Sequence, residues 1–139
     1  MKTQYLFVNN NSTGVAVLLA RTTLQRLRGW MWTQTPPDTG LLIFPCNGIH
    51  TFFVKFPIDA VFLDSRHTVV KIARNLNPWR MIPIVPLANS VLELPAGWAD
   101  KLSINAGDNL SFASEQAVNA GQIPGLYGNA ASNNTVSLS

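Results

Sequence analysis

Apolar positions along this chain fall into short runs cut by turn residues, which is the pattern of a β-rich protein. The longest run, Gly40 to Asp64, reads GLLIFPCNGIHTFFVKFPIDAVFLD and is dominated by Ile, Phe, Val and Thr. Such residues fit a pleated, half-buried surface. Asn47-Gly48 is a strong hairpin signal, because both residues tolerate the positive φ that a tight turn needs. The run therefore predicts Leu41–Cys46 and Ile49–Phe56 as two antiparallel strands and Ile58–Leu63 as a third. Pro45 and Pro57 interrupt it and mark edges, bulges or changes of direction.

The flanking sequence continues in the same manner. Thr3–Val8 is a short apolar run closed by Asn9-Asn10-Asn11-Ser12, and Gly14–Ala20 reads as a strand. Thr22 or Thr23 can cap one short helix through Arg28, with Gly29 as its stop. Leu24, Leu27 and Trp30/Met31 recur at helical spacing and predict an apolar stripe, with Arg26 and Arg28 off it. Pro36-Pro37 make Thr33–Thr39 a connector. Beyond the central run, the turn Asp64–His67 leads into an alternating strand Thr68–Ala73, so a meander is expected. Asn75–Pro86 holds three prolines and several large apolar groups, and reads as an irregular loop. Ser90–Leu94 is a strand, Trp98–Leu102 a helical turn, and Asn109–Phe112 the last strand.

Composition narrows the class. At 139 residues the chain is sized for one domain, and 47% hydrophobic against 12% charged residues describes a well-buried core. Residues 1–113 read as that single domain; Ser114–Ser139, rich in Asn, Ser, Gly and Ala, reads as a flexible low-complexity tail. Ten basic and seven acidic residues give +3 without any block of like charge, which argues against nucleic acid as a partner and against a polybasic membrane anchor. One cysteine makes no internal disulfide, and there is no Cys-x-x-Cys and no second histidine at ligand spacing. No metal or other cofactor is expected. Neither a signal-peptide core nor a run of ~20 apolar residues occurs, so the expectation is a soluble cytoplasmic protein with no membrane insertion.

Several blocks together resemble a known family. They are Arg26-x-Arg28-Gly29-Trp30-Met31, Gly40–Phe44, His50-Thr51-Phe52-Phe53, Pro57-Ile58-Asp59-Ala60-Val61-Phe62-Leu63-Asp64, Val91-Leu92-Glu93-Leu94-Pro95-Ala96-Gly97 and Gly107-Asp108. In this order, from about Val17 to Phe112, they resemble the domain of unknown function 192 family. The resemblance implies a compact β-rich domain of bacteria and archaea and carries no established activity. Trp30 stands where the family usually has Leu, and His67 where it usually has Gly.

Candidate chemistry gathers on the central run. A two-residue hairpin at Asn47-Gly48 would put Cys46 diagonally across from His50, about 7 Å away at Cα, where side chains can meet. That arrangement suits a histidine-activated thiolate or two ligands of a metal; its plain alternative is a small apolar cysteine in the core. Asp59, Asp64 and Glu93 sit in or beside strands where charge is costly. Each therefore either pairs with Arg26, Arg28 or Lys55, the favoured reading, or lines a pocket with His50. Asp108 and His67 read as turn residues, and the four tryptophans as core or rim.

The fold expected is α+β and β-rich: a strongly curved antiparallel or mixed sheet, or a partly closed barrel, with one short helix. Three functions follow. The leading one is a binding module holding a small ligand or a peptide in a cleft near His50, Asp59 and Trp79, with Glu93 contributing. The others are a thiol-dependent enzyme using Cys46 and His50, and an interaction protein docking through the Trp79–Pro86 loop. No complete set of nucleophile, base and orienting acid can be assembled, which puts binding first.

Overall fold

Asn9 and Asn10 take left-handed φ angles of 49° and 67° and close a two-residue turn. The turn joins β1 (Lys2–Val8) to β2 (Asn11–Ala20), with Val8 opposite Asn11 and Lys2 opposite Leu19. The expected four-residue loop is thus shorter, and the second strand begins earlier than Gly14. The protein is represented by a computed structural model, which describes residues 1–121.

After β2 comes α1 (Thr23–Arg28), the helix the sequence predicts. The Thr22 hydroxyl accepts from the Gln25 amide at 3.1 Å, and the Gln25 side chain accepts from the Thr22 amide at 3.2 Å, a reciprocal capping box. Gly29, at φ 47°, ends the helix. Its expected apolar stripe has no partner, since Leu24 is 77% and Leu27 63% exposed. Helical spacing shows which residues share a side, not whether anything covers that side; here only Trp30, beyond the helix, is buried, its ring 6.0 Å from Phe56.

The helix lies in a crossover, because β3 (Gly40–Ile43) runs parallel to β2, and parallel neighbours cannot be joined by a tight turn. The other sheet pairings are antiparallel. β5 (Ile58–Leu63) pairs with β6 (Val69–Leu76) and with β8 (Ser90–Pro95), and β8 pairs in turn with β3. α2 (Trp98–Lys101) follows, then β9 (Leu110–Ala113), which pairs with β1. The seven strands stand in the order β6-β5-β8-β3-β2-β1-β9. The sheet curls until its two edges approach: Thr68, beside β6, bridges to Asn109, beside β9, and the Val69 amide donates to Asp108 O at 2.8 Å. The result is a β-rich, mixed, partly closed barrel with a few short helices, as expected apart from the number of helices.

The predicted hairpin at Asn47-Gly48 is not formed. The chain turns away after Ile43, and β4 (Ile49–His50) pairs instead with β7 (Met81–Ile82) in a separate two-stranded sheet. Neither Asn47 nor Gly48 has a positive φ. Gly48 serves a different need: a Cβ there would stand 2.7 Å from the Pro83 carbonyl carbon, so the glycine permits close backbone approach. The Val85 amide donates to Asn47 O at 2.7 Å and the Cys46 amide to Asn89 O at 3.0 Å, tying the segment to the loop before β8.

Apolar side chains fill both faces of the central strands. Inside the curl lie Leu6, Val17, Leu42, Val61, Leu63, Leu92 and Leu94. Leu41, Ile43, Ile58, Ala60, Phe62 and Val91 point the other way, under Trp30, Ile49, Val54, Phe56 and Val85. Burial on both faces explains why β3, β5 and β8 are mainly apolar and do not alternate, with Asp59 and Glu93 as the buried acids among them. Of the segment expected as a tail, the described part is not structureless. Ser114 caps α3 (Glu115–Asn119), and Ala117 and Val118 pack over buried Phe7. Two side chains of one short helix help to cover this ring, a contribution that composition hides. Residues 122–139 of that expected tail lie outside the described residues.

Candidate functional site

On the second face of the sheet, a cleft of about 490 Å³ opens between α1, the Pro45–His50 segment and the end of the loop before β8. A volume of this order is ordinary for a small-ligand site. Its polar wall includes Arg26 and Arg28 from α1 together with Cys46, His50, Asn89 and Glu93.

Glu93 is positioned by β8, where it stands opposite Leu41 on β3 and Ala60 on β5. Strand alternation puts it on the same face as Val91, within the apolar layer of Ile43, Ala60 and Phe62. It is only 4% exposed, and no described side chain or amide donates to it. Burial without a compensating charge pushes its carboxyl up to about 8, so the group is largely protonated at neutral pH. One of its oxygens lies against Gly29, where an added Cβ would be 3.5 Å from it.

Arg26 comes to the same cleft from α1. Its Nη1 donates to Pro45 O at 3.2 Å, while its Nε is buried without a partner among the described residues. Sequence reading places Arg26 or Arg28 in an ion pair with a strand acid, and that pair is not made. Among the described residues the one such pair is Arg74 with Asp100, at 3.0 Å on the surface. A cation and a largely protonated acid thus line one cleft with no ion pair between them.

Cys46 and His50 both line this cleft, His50 placed by the β4–β7 pairing and Cys46 by its amide hydrogen bond to Asn89 O, and not across a hairpin. The Cys46 thiol donates to Gly48 O at 2.8 Å, and burial, more than any other influence, pushes it above its ordinary value. A thiol so held is a poor nucleophile at neutral pH. His50 Nδ1 accepts from the Phe52 amide at 3.2 Å, and its ring stacks on Phe52 at 4.9 Å. Its Nδ1 is therefore occupied by its own backbone. Among the described residues, no group of three or more His, Cys, Asp or Glu side chains could hold a metal ion.

The remaining predicted residues lie elsewhere. Asp59 is buried, and it pairs with neither Arg26, Arg28 nor Lys55. Its Oδ1 accepts from the Asn75 amide at 2.8 Å, and its Oδ2 from the Gly97 and Ala99 amides at 3.0 and 2.9 Å. The carboxylate locks β6 and the start of α2 onto β5, and it does not line the cleft. Asp64 holds its own turn, accepting from the Arg66 and Thr68 amides at 2.8 and 2.9 Å. Trp79 is 60% exposed and does not line the cleft, but it adjoins it: it lies 4.8 Å from Phe53 and 5.6 Å from Phe52, the ring on which His50 stacks. Sequence reading missed Asn89, which no local motif marks.

Comparison with known proteins places the fold and the family. The DUF192 family profile, described as "Uncharacterized ACR", matches residues 6–112. A UPF0127 protein of Thermococcus sibiricus is 33% identical over 131 residues, covering 88% of this chain and 84% of its own. Another, from Pyrococcus abyssi, is 39% identical over 101 residues, covering 69% of this chain and 85% of its own. A crystal structure of a protein of unknown function from Novosphingobium aromaticivorans superposes with a TM-score of 0.66 at 25% identity, covering 78% of this chain and 84% of that one.

Proposed function

Because the chain belongs to the DUF192 (UPF0127) family, whose description assigns no reaction, we propose from its geometry that it is a binding module holding a small ligand in the cleft between α1 and β8. The observation that carries this reading is Glu93. A carboxyl taken out of water without a hydrogen-bond partner costs stability, and apolar residues of similar size would fill the same place more cheaply. Its position at an open cleft supports a partner that arrives from solution. Asp59 and Trp79 drop out of the binding surface; His50 and Glu93 stay.

A fragment library screened by protein-observed NMR tests the reading on the full chain. Hits should shift the amide signals of Cys46, Asn47, Gly48 and Asn89, and Ala88→Phe, which fills the cleft, should abolish those shifts. Hits confined to other surfaces, or none at all, would overturn it.

A second reading, docking of a protein partner, draws support from the exposed apolar groups Trp79, Met81, Ile84 and Leu87 along one loop. Loss of a partner on replacing Trp79 and Ile84 by Ser, with the cleft variants neutral, would favour it instead. Thiol catalysis by Cys46 has the least support, given a thiol bonded to Gly48 O and pushed up by burial.

A further inference from the structure

We propose that the cleft takes a small carboxylate-bearing molecule, its carboxylate seated on the Nε–Nη2 edge of Arg26 and its uncharged remainder hydrogen-bonded to the Glu93 carboxyl. The proposal rests on the binding reading above and names the chemistry of its ligand. The guanidinium of Arg26 is already turned by its Nη1 contact to Pro45 O, which leaves the opposite edge, Nε with Nη2, free of protein partners. That edge presents two parallel N–H donors, the geometry that a carboxylate accepts in bidentate fashion. In this conformation the Nε is closed off and has no acceptor, which is costly; a turn of the guanidinium toward the cleft would let a carboxylate oxygen satisfy it.

The charge of the wall points the same way. Arg26 and Arg28 face the cleft from α1, Cys46 and His50 face it from the Pro45–His50 segment, and the strands flanking Glu93 contribute Leu41 and Ala60. Glu93 is the one acid on that wall and is largely neutral at pH 7. A cation would meet two arginines and a protonated carboxyl. An anion would meet two cations and an acid able to donate or to accept. The arrangement also couples binding to a proton. Once Glu93 ionises, its charge opposes the anion, so affinity should fall as pH rises through about 8. For a group titrating there the loss is about tenfold between pH 7 and pH 9.

Matched probes test this by NMR on the full chain: acetate, benzoate and N-acetylglycine, their primary amides, and the amines glycinamide and benzylamine. The carboxylates should shift the amide signals of Cys46, Asn47, Gly48 and Asn89 at least tenfold more tightly than their amides. Arg26→Gln should abolish that preference. Arg26→Lys, which keeps the charge and loses the fork, should weaken it, and it serves as the reporter if the glutamine variant unfolds. Glu93→Gln should flatten the pH dependence. Amides or amines that bind as well as the acids overturn the carboxylate assignment and leave the cleft reading standing. Failure of all three series to shift those signals overturns the carboxylate assignment, and the cleft reading then rests on the fragment screen. Carboxylate binding that Arg26→Gln or Arg26→Lys leaves intact overturns the seat on Arg26.

Discussion

Gly48 lies so close to the backbone of the facing loop that an added Cβ would stand 2.7 Å from the Pro83 carbonyl carbon and 2.8 Å from the Ile82 carbonyl oxygen. Both obstacles are backbone, so neither can swing aside. Gly48→Ala is expected to cost about 2 kcal/mol or more and to displace the cleft rim that Asn47 and Cys46 form. Urea denaturation measures the cost. A variant as stable as the parent would mean that the two segments are not packed this way.

Asp59 should prove a structural acid of unusual weight. Replacing it with Ala leaves the amides of Asn75, Gly97 and Ala99 without their acceptor, at a cost of at least about 3 kcal/mol. Asp59→Asn keeps one acceptor oxygen and should fall between. Equal stability of the alanine variant and the parent in thermal melts would remove Asp59 from this role.

Glu93 sets a pH dependence whose sign follows from linkage. Its carboxyl is raised in the folded state to about 8 from an unfolded value near 4.5, so between those limits the folded protein holds a proton that the unfolded chain has lost. Stability should therefore fall as pH rises across that window, by up to about 1.4 kcal/mol per pH unit, and level off above it. Glu93→Gln should flatten this slope and be more stable than the parent near pH 8. Parallel pH–stability curves for the two proteins would show that Glu93 is ionised in the fold.

Cys46 is expected to react slowly with iodoacetamide at pH 7 in the folded protein and quickly after unfolding. Burial raises its thiol, and its hydrogen bond goes to Gly48 O. His50→Ala should leave the rate unchanged, since His50 directs Nδ1 to the Phe52 amide. Rapid, His50-dependent alkylation would move the thiol-enzyme reading into first place.

The short helix α3 gives the last expectation. The Ser114 hydroxyl accepts from the Ala117 amide at 3.1 Å, so Ser114→Ala should lose about 1 kcal/mol and loosen the cover over Phe7. Hydrogen exchange at Val118 and at β1 reads that loosening directly, and unchanged exchange at both would count against it.

What the sequence determined by itself was local. Apolar β-branched and aromatic runs located β1, β2, β5, β6, β8 and β9 to within a few residues, and Thr22, Gln25 and Gly29 bounded α1. The blocks behind the family resemblance lie partly on those elements (α1, β5 and β8) and partly on β3, β4 and the turn before β9. Tertiary structure decided which elements meet. β3 takes β2 and β8 as neighbours, the latter some fifty residues away, and the Asn47-Gly48 turn preference yields to that pairing. Asp59 finds its donors 16, 38 and 40 residues along the chain, none of which a local pattern names. Arg26, the Cys46–His50 segment and Glu93 come from three separate parts of the sequence and share a cleft only because the sheet curls beneath them. Side-chain spacing fixes the face a residue occupies within its own strand or helix. What lies opposite that face depends on long-range burial, and there the sequence offers no register.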